Sequence, residues 1–170
     1  GELIVVTTGD GDLTTIHLNS ASLHVGLPSR LPEDSYLNLR GAVHIYGDLT
    51  VAGIIDADGN DDIAFDVGAT FHDDLTLEAT TEFRVAAYGT GAAEYTHITV
   101  LGQLTLDGTL LVATPFLLPE GIDLHVVTTV VPPIGAFDSI QVLGDGNADG
   151  QMDIVIEDDG LHLTGGGGGG

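Results

Sequence analysis

The residues best suited to chemistry in this sequence form an acidic stretch near its C-terminal end. Oxygen-bearing side chains and a glycine follow one another over residues 145–153: Asp145, Asn147, Asp149, Gly150, Gln151 and Asp153. Ca²⁺ takes about six to eight oxygen ligands, and one short loop supplies most of them when a glycine permits its sharp turn. The spacing therefore predicts a calcium site. The competing interpretation is an acidic turn that binds no ion.

A shorter version of this pattern lies earlier in the chain, over residues 56–62. Its candidate ligands are Asp56, Asp58, Asn60 and Asp62. When the two stretches are aligned on their glycines, Ile54 stands where the first oxygen donor would be. The pattern predicts a second cation site, and the alternative is a solvated turn between two strands.

The later stretch resembles known calcium loops. Its spacing is similar to that of EF-hand and dockerin loops, although Ile156 occupies the position of their final acid. It is more similar to the calcium hairpins of FG-GAP and integrin-type repeats, in which a strand follows the loop. The resemblance implies Ca²⁺ as the bound cofactor.

Histidine is the second residue type that could bind a metal, and the chain has seven. Five stand between two apolar residues: His17, His24, His44, His125 and His162. On a β-strand this alternation places the imidazole on the face opposite the core, where stacked strands would align the rings in a row. A transition-metal site needs imidazoles that converge on one point, which the spacing does not indicate. We therefore predict outward-facing histidines without a metal.

No arrangement of residues indicates catalysis. The chain lacks the G-x-S-x-G, H-E-x-x-H and P-loop motifs, which position a nucleophile, zinc ligands and phosphates. Lyases built on β-helices use a basic residue at the reacting carbon, and this chain has three scattered arginines and no lysine. In so acidic a chain, a pair of carboxylates at the separation of a glycosidase cannot be recognised from sequence. We predict that the protein is not an enzyme and has no catalytic residues.

Charge is the extreme feature of the composition. The 170 residues include 26 acids against Arg30, Arg40 and Arg84, for a formal charge of −23. Three arginines cannot form a basic patch, so we expect no binding to nucleic acid. No apolar run is long enough for a membrane-spanning helix, and we expect no membrane insertion. Self-repulsion this strong calls for screening by bound cations or by high salt.

One short phrase recurs along the chain. It reads Asp-Leu-Thr-Val at 48–51, Asp-Leu-Thr-Leu at 74–77, Gln-Leu-Thr-Leu at 103–106 and, more loosely, Asp-Leu-Thr-Thr at 12–15. Each copy is typical of a half-buried strand next to a turn, and regular recurrence indicates stacking. We predict an all-β fold, a short right-handed parallel β-helix or β-solenoid, with an antiparallel cap after residue 114 as an option. The alternative is a β-sandwich of the jelly-roll type.

The length fits a single domain. We predict one all-β domain over residues 1–164, with a candidate sub-boundary near 131–135, where two prolines are adjacent. Residues 165–170 are six glycines, which form a flexible tail or are an artefact, and lie outside the predicted fold. Pro28 and Pro32 indicate a loop or a lateral excursion over residues 27–34.

About half of the chain resembles the C-terminal β-helix segments of bacterial autotransporter-passenger-like and repeat-rich surface proteins. The residues that carry this resemblance are 46–53, 68–70, 95–100, 102–112 and 134–140. In those proteins a strand, an L-T-L-x-G-T-L turn and a closing G-x-F-D-x-I segment follow in this order. The resemblance implies a β-helix and an extracellular or cell-surface location, and it implies no activity.

These observations favour a structural role. Residues 1–8 form an apolar terminal strand that could add itself to the sheet of a neighbouring copy. We predict a structural subunit of an extracellular self-assembling polymer (a filament, sheath or surface layer) with calcium-stabilised acidic loops and copies of itself as partners. The alternative is an adhesin or carbohydrate-binding module of a larger secreted surface protein, with an exposed aromatic platform for a surface polysaccharide.

Overall fold

The computed structural model describes residues 2–4, 15–25, 29–57, 67–89, 94–114, 121–143 and 152–165. Within these ranges the regular structure is β-strand, without a helix. In chain order the strands are β1 (Glu2–Ile4), β2 (Thr15–Asn19), β3 (Ser22–His24), β4 (Ser29–Leu31), β5 (Tyr36–Tyr46), β6 (Leu49–Val51), β7 (Ile54–Ala57), β8 (Val67–Phe71), β9 (Leu75–Leu77), β10 (Glu82–Ala86), β11 (His97–Val100), β12 (Leu104–Leu106), β13 (Thr109–Ala113), β14 (Asp123–Thr129), β15 (Ile134–Gly135), β16 (Ser139–Leu143), β17 (Met152–Glu157) and β18 (Gly160–Gly165).

The strands form a β-solenoid. A 13-stranded sheet has two arms that meet in the long strand β5, and a separate sheet has five strands. The first arm contains β2, residues 36–40 of β5, β7, β10, β13 and β16. The second arm contains β1, β3, residues 41–46 of β5, β8, β11 and β14. The short sheet contains β4, β6, β9, β12 and β15. The chain passes through first arm, second arm and short sheet in turn, and these pairs are parallel, so the predicted parallel β-solenoid is confirmed and the β-sandwich is not the fold.

The recurring phrase of the sequence builds the short sheet. Leu49, Leu75 and Leu104 stand in register on β6, β9 and β12, and each is at most 3% exposed. The threonines that follow them point to the other side and are half-buried. The prediction of a loop over residues 27–34 is wrong, because Ser29–Leu31 forms β4 and pairs with β6 as the first strand of this sheet.

Acidic residues at the turns connect neighbouring turns of the solenoid through backbone amides. Asp48 Oδ1 accepts a hydrogen bond from the amide of Asp74 at 3.2 Å, 26 residues away. Asp74 Oδ1 accepts one from the amide of Gln103 at 2.8 Å, 29 residues away. These amides lie at the corner before a short-sheet strand, outside the hydrogen-bond ladder of the sheet. Each carboxylate therefore accepts a hydrogen bond from a backbone amide that the ladder does not pair.

The interior consists of side chains stacked strand upon strand. In the first arm Leu37, Ile55, Phe83 and Leu110 stand in register, and each is at most 2% exposed. A parallel register keeps equivalent residues on the same side of the sheet. Each turn of the chain therefore covers the apolar side chains of the turn before it.

An antiparallel hairpin closes the C-terminal end of the second arm. β18 pairs antiparallel with both β14 and β17. Gly160 has a φ of +129°, and a Cβ on it would clash with the carbonyl oxygen of Val127, so the approach of the two backbones requires glycine. The optional antiparallel cap after residue 114 is thus present: β17 and β18 form it against β14, while β14 and β16 still continue the parallel winding. β18 extends to Gly165; the domain limits stay predictions.

We expect Leu75→Ala to destabilise the protein by about 2–5 kcal/mol, because it opens a cavity in the middle of a stack. Leu75 is 0% exposed and has a leucine in register on each side. Urea unfolding followed by circular dichroism measures the loss. The matched control is Thr76→Ala on the outer side of the same strand, expected to cost below about 1 kcal/mol. Equal losses in the two variants would contradict the assignment of the inner face.

Candidate metal centre

A group of histidine and carboxylate side chains lies where β14 meets the C-terminal hairpin. Asp123 and His125 are exposed on β14 and flank the buried Leu124. His162 stands on β18 between Leu161 and Leu163, which both belong to the core. Because side chains alternate along a strand, Asp123, His125 and His162 share the outer face. The antiparallel register pairs His125 directly with His162.

The side chains of this group are within hydrogen-bonding distance of one another. His162 Nδ1 lies 2.8 Å from Asp123 Oδ1, and His162 Nε2 lies 2.7 Å from Asp159 Oδ1. His125 Nε2 lies 3.4 Å from Asp123 Oδ2. The rings of His125 and His162 are stacked at a tilt, with 3.9 Å between their centroids. His162 is only 4% exposed, so both of its ring nitrogens are held by carboxylates inside a covered position.

Two sets of three residues in this group could hold a metal ion. One set is Asp123, His125 and His162, and the other is Glu157, Asp159 and His162. In each set the candidate ligand atoms lie within 4.8 Å of one another. The two sets share His162, which would offer a different nitrogen to each.

The electrostatics of the group favour positive charge on His162. Burial by itself lowers the pKa of His162, but the hydrogen bonds to Asp159 and Asp123 outweigh it and leave the pKa above its ordinary value. The hydrogen bond from His162 in turn lowers the pKa of Asp159. The group therefore accommodates a positive charge, as a proton or as an ion.

Only two of the calcium ligands predicted from sequence fall among the described residues. Asp56 lies on β7 and is 1% exposed; its Oδ2 accepts a hydrogen bond from Tyr36 Oη and lies 3.8 Å from Arg84 Nη1. Asp153 is exposed on β17, opposite Thr164 of β18. The remaining predicted ligands lie outside the described residues: Asp58, Asn60, Asp62, Asp145, Asn147, Asp149 and Gln151. Both calcium sites stay predictions.

The predicted row of outward histidines is present on the second arm. Tyr46 stacks between His24 and His72, with centroid distances of 4.7 and 4.2 Å. His44 Nδ1 lies 3.0 Å from His72 Nε2. His17 and His125 are also exposed. His162 also lies on the outer face of its strand, but the ring of His125 and the carboxylate of Asp159 cover it.

Sequence reasoning did not find the group around His162. Asp123 and His125 are two residues apart on one strand, which is enough to place them on one face. The other half of the group follows 39 residues after Asp123. Only the antiparallel register of β14 and β18 brings the two halves together, and residue spacing does not encode that register.

Comparisons of the chain with protein-family models, with curated proteins and with solved structures find no match. The resemblance to bacterial surface β-helix proteins therefore stays a prediction that rests on its motif residues. A search of the described residues for a helix of sufficient length and apolar character to cross a membrane finds none.

We expect the metal-free protein to lose stability as pH rises from about 6.5 through the raised folded-state pKa of His162. The folded-state pKa of His162 is raised, so the stabilisation is fully present below the unfolded value of about 6.5. It is lost as pH rises through the folded value. Asp123 and His125 face His162 from β14, and Glu157 and Asp159 face it from the hairpin.

Urea unfolding in the presence of a chelator, at several pH values across that range, measures this loss. His162→Gln should flatten the dependence because glutamine does not titrate. His17→Gln, which removes an exposed histidine on β2, should keep it. A dependence that survives unchanged in His162→Gln would rule out His162 as its origin.

Proposed function

We propose that the protein is a structural subunit that assembles end to end with copies of itself, through the open last turn of the solenoid. The observation that carries this proposal is the exposure of one inward-facing apolar residue, Ile140, in that turn. Ile140 of β16 stands in register with Leu110 of β13. Leu110 is 0% exposed, whereas Ile140 is 44% exposed. Each turn covers the apolar side chains of the preceding turn, but among the described strands none covers Ile140 at the end of the stack.

Further apolar side chains surround this end. Val130, Ile134 and Leu143 are between 51% and 69% exposed. β16 and β15 are the last strands of the first arm and of the short sheet, and no described strand pairs with their outer edges. Grouped exposed apolar residues beside free strand edges are typical of a surface that binds another protein chain.

The charge distribution supports a second copy as the occupant of this end. At a formal charge of −23, copies repel one another over most of their surface. β15 and β16 contain no charged residue, and neither does β2, the first strand of the first arm. Natural sheets commonly protect free edges with charged side chains. These strands lack that protection, and the exposed Asp138 is the acidic residue between β15 and β16.

The geometry of a solenoid favours head-to-tail growth. β2 and β4 begin the first arm and the short sheet, and β16 and β15 end them. Edges at opposite ends of one winding have matching strand spacing, so the first turn of one copy can continue the last turn of another. A heterologous contact of this kind that does not close produces a filament. The antiparallel cap closes the second arm and confines the contact to β15 and β16.

Exchange of the N-terminal strand is a second proposed contact. Residues 2–4 pair in parallel with β3 of their own chain. A neighbouring copy could supply the same pairing, and the short apolar segment would then link two subunits.

Calcium and an extracellular or cell-surface location complete the proposal. Calcium ions bound by the acidic stretches at 56–62 and 145–153 would reduce the repulsion between copies. Extracellular modules bind Ca²⁺ with dissociation constants of about 10⁻⁴–10⁻³ M, which suits loops with few ligands. The acidic composition and the resemblance to bacterial surface proteins support this location.

An adhesin or carbohydrate-binding module is the second candidate, and the ring row of His24, Tyr46 and His72 is the observation that favours it. Sugars bind aromatic side chains over a free ring face. In this row Tyr46 has a neighbouring ring on each side, and Tyr46 is 36% exposed. The row therefore offers ring edges more than ring faces, and end-to-end assembly is the better-supported function.

We expect Ile140→Lys to weaken assembly by at least about tenfold, because it buries a charge in the proposed contact. Sedimentation velocity over a concentration series and negative-stain microscopy, both with calcium present, report the assembly state. Thr99→Lys is the control, because it adds the same charge on β11 in the middle of the solenoid. A wild-type chain that stays monomeric at all concentrations would contradict the proposal, as would equal weakening by both variants.

We expect a calcium chelator to disperse the assemblies and added Ca²⁺, but not Mg²⁺, to restore them. Ca²⁺ tolerates irregular oxygen cages whereas Mg²⁺ requires a near-ideal octahedron. Asp149→Ala removes one predicted ligand and should raise the calcium concentration needed. Assemblies that persist in chelator without bound calcium, determined by elemental analysis, would refute the role of calcium and leave the contact at β15 and β16 intact.

A further inference from the structure

The donor atoms around His162 differ in kind from those of the acidic loops. Asp123, His125 and His162 offer one carboxylate and two imidazoles. Ca²⁺ and Mg²⁺ prefer ligand sets made of oxygen alone. Imidazole nitrogen suits zinc, copper, nickel and iron. This group therefore selects a divalent transition-metal ion over calcium.

The distances between donor atoms are close to those that such an ion requires. A tetrahedral zinc ion with bonds near 2.0 Å separates its ligand atoms by about 3.3 Å. Asp123 Oδ1 lies 2.8 Å from His162 Nδ1, and Asp123 Oδ2 lies 3.4 Å from His125 Nε2. Asp123 contacts the two histidines through different oxygen atoms, so the exposed side chains of Asp123 and His125 have to shift before one ion meets all three ligands. Three protein ligands leave a fourth position for water.

Asp159 holds His162 in the orientation that a ligand needs. A metal-binding histidine commonly donates its second ring N–H to a carboxylate, which sets the tautomer and the ring orientation. Here His162 Nε2 lies 2.7 Å from Asp159 Oδ1, which leaves Nδ1 directed at Asp123. The ring is 4% exposed and packed against His125, so few other orientations are open to it.

The alternative set of Glu157, Asp159 and His162 is less suitable for a transition metal. It contains one imidazole instead of two, and its members lie within the C-terminal hairpin alone. It would also use the His162 nitrogen that Asp159 otherwise holds. The set that includes His125 joins two elements far apart in sequence.

We propose that Asp123, His125 and His162 bind one divalent transition-metal ion of the zinc class, with Asp159 as the positioning residue. The ion connects β14 of the solenoid to β18 of the cap. It displaces the proton that otherwise lies between His162 and Asp123. The bound ion therefore fastens the antiparallel cap to the parallel turns. This inference is independent of end-to-end assembly.

The test is a titration of the metal-free full chain with Zn²⁺ and with Co²⁺. We expect one equivalent of Zn²⁺ by calorimetry, and a visible absorption spectrum of Co²⁺ typical of nitrogen and oxygen ligands. His125→Gln should weaken binding by more than tenfold. Asp159→Asn should weaken it by about ten- to a hundredfold while keeping the Co²⁺ spectrum, because it removes an orienting partner and no ligand.

Controls separate this site from other histidines and from calcium. His17→Gln should leave binding unchanged, and so should His72→Gln, which breaks the pair formed by His44 and His72. A hundredfold excess of Ca²⁺ should not displace the ion. Loss of the Zn²⁺ equivalent in His72→Gln, displacement by Ca²⁺, or equal binding by wild type and His125→Gln would each overturn the proposal.

A second readout tests the consequence for the fold. Hydrogen exchange should show slower exchange of the amides of β17 and β18 when Zn²⁺ is bound, and no change in His125→Gln. Running both measurements in the Ile140→Lys background keeps them separate from assembly. If amide hydrogen exchange in the hairpin stays unchanged although Zn²⁺ is bound, the ion does not stabilise the contact between the cap and β14.

Discussion

Parallel stacking in register is the constraint on which the whole structure depends. A single turn of this chain cannot bury its own apolar side, since the inward side chains of each strand are covered by those of the turns before and after. Leu37, Ile55, Phe83 and Leu110 are buried for this reason. The same requirement leaves Ile140 uncovered, so the interaction that stabilises the interior also generates the apolar end surface. The proposed self-association would therefore use the same apolar packing as the core.

Charge is the second constraint, because 26 acids share three arginines. The fold meets it by giving carboxylates other partners. Asp48 and Asp74 accept hydrogen bonds from amides of the next turn, and the buried Asp56 is bonded to Tyr36. At the cap His162 is within hydrogen-bonding distance of two carboxylates, those of Asp123 and Asp159. An ion at that position would extend the same solution, since a divalent cation balances two carboxylates where a proton balances one.

The fold was predictable from sequence where its signal is local. Alternation within three residues identified β6, β9 and β12, and their recurrence after 26 and then 29 residues indicated that they stack. Prediction failed at residues 29–31, which form the first strand of the short sheet although Pro28 and Pro32 flank them. A three-residue strand carries almost no periodicity, and its pairing with β6 decides its conformation. The optional cap could be placed from sequence only as following residue 114, because parallel and antiparallel strands have the same alternation of polar and apolar residues.

The sequence by itself determined which side chains point inward, how strongly the surface is charged and that familiar catalytic motifs are lacking. These properties follow from residue types and from a period of two along each strand. Only the tertiary structure decided that Asp123 and His125 meet His162, and that no strand among the described residues covers Ile140. Both depend on which strand lies beside which, and in what direction. Contacts between residues far apart in the chain set that choice. The local alternation of polar and apolar residues cannot set it, because it is the same for every competing arrangement.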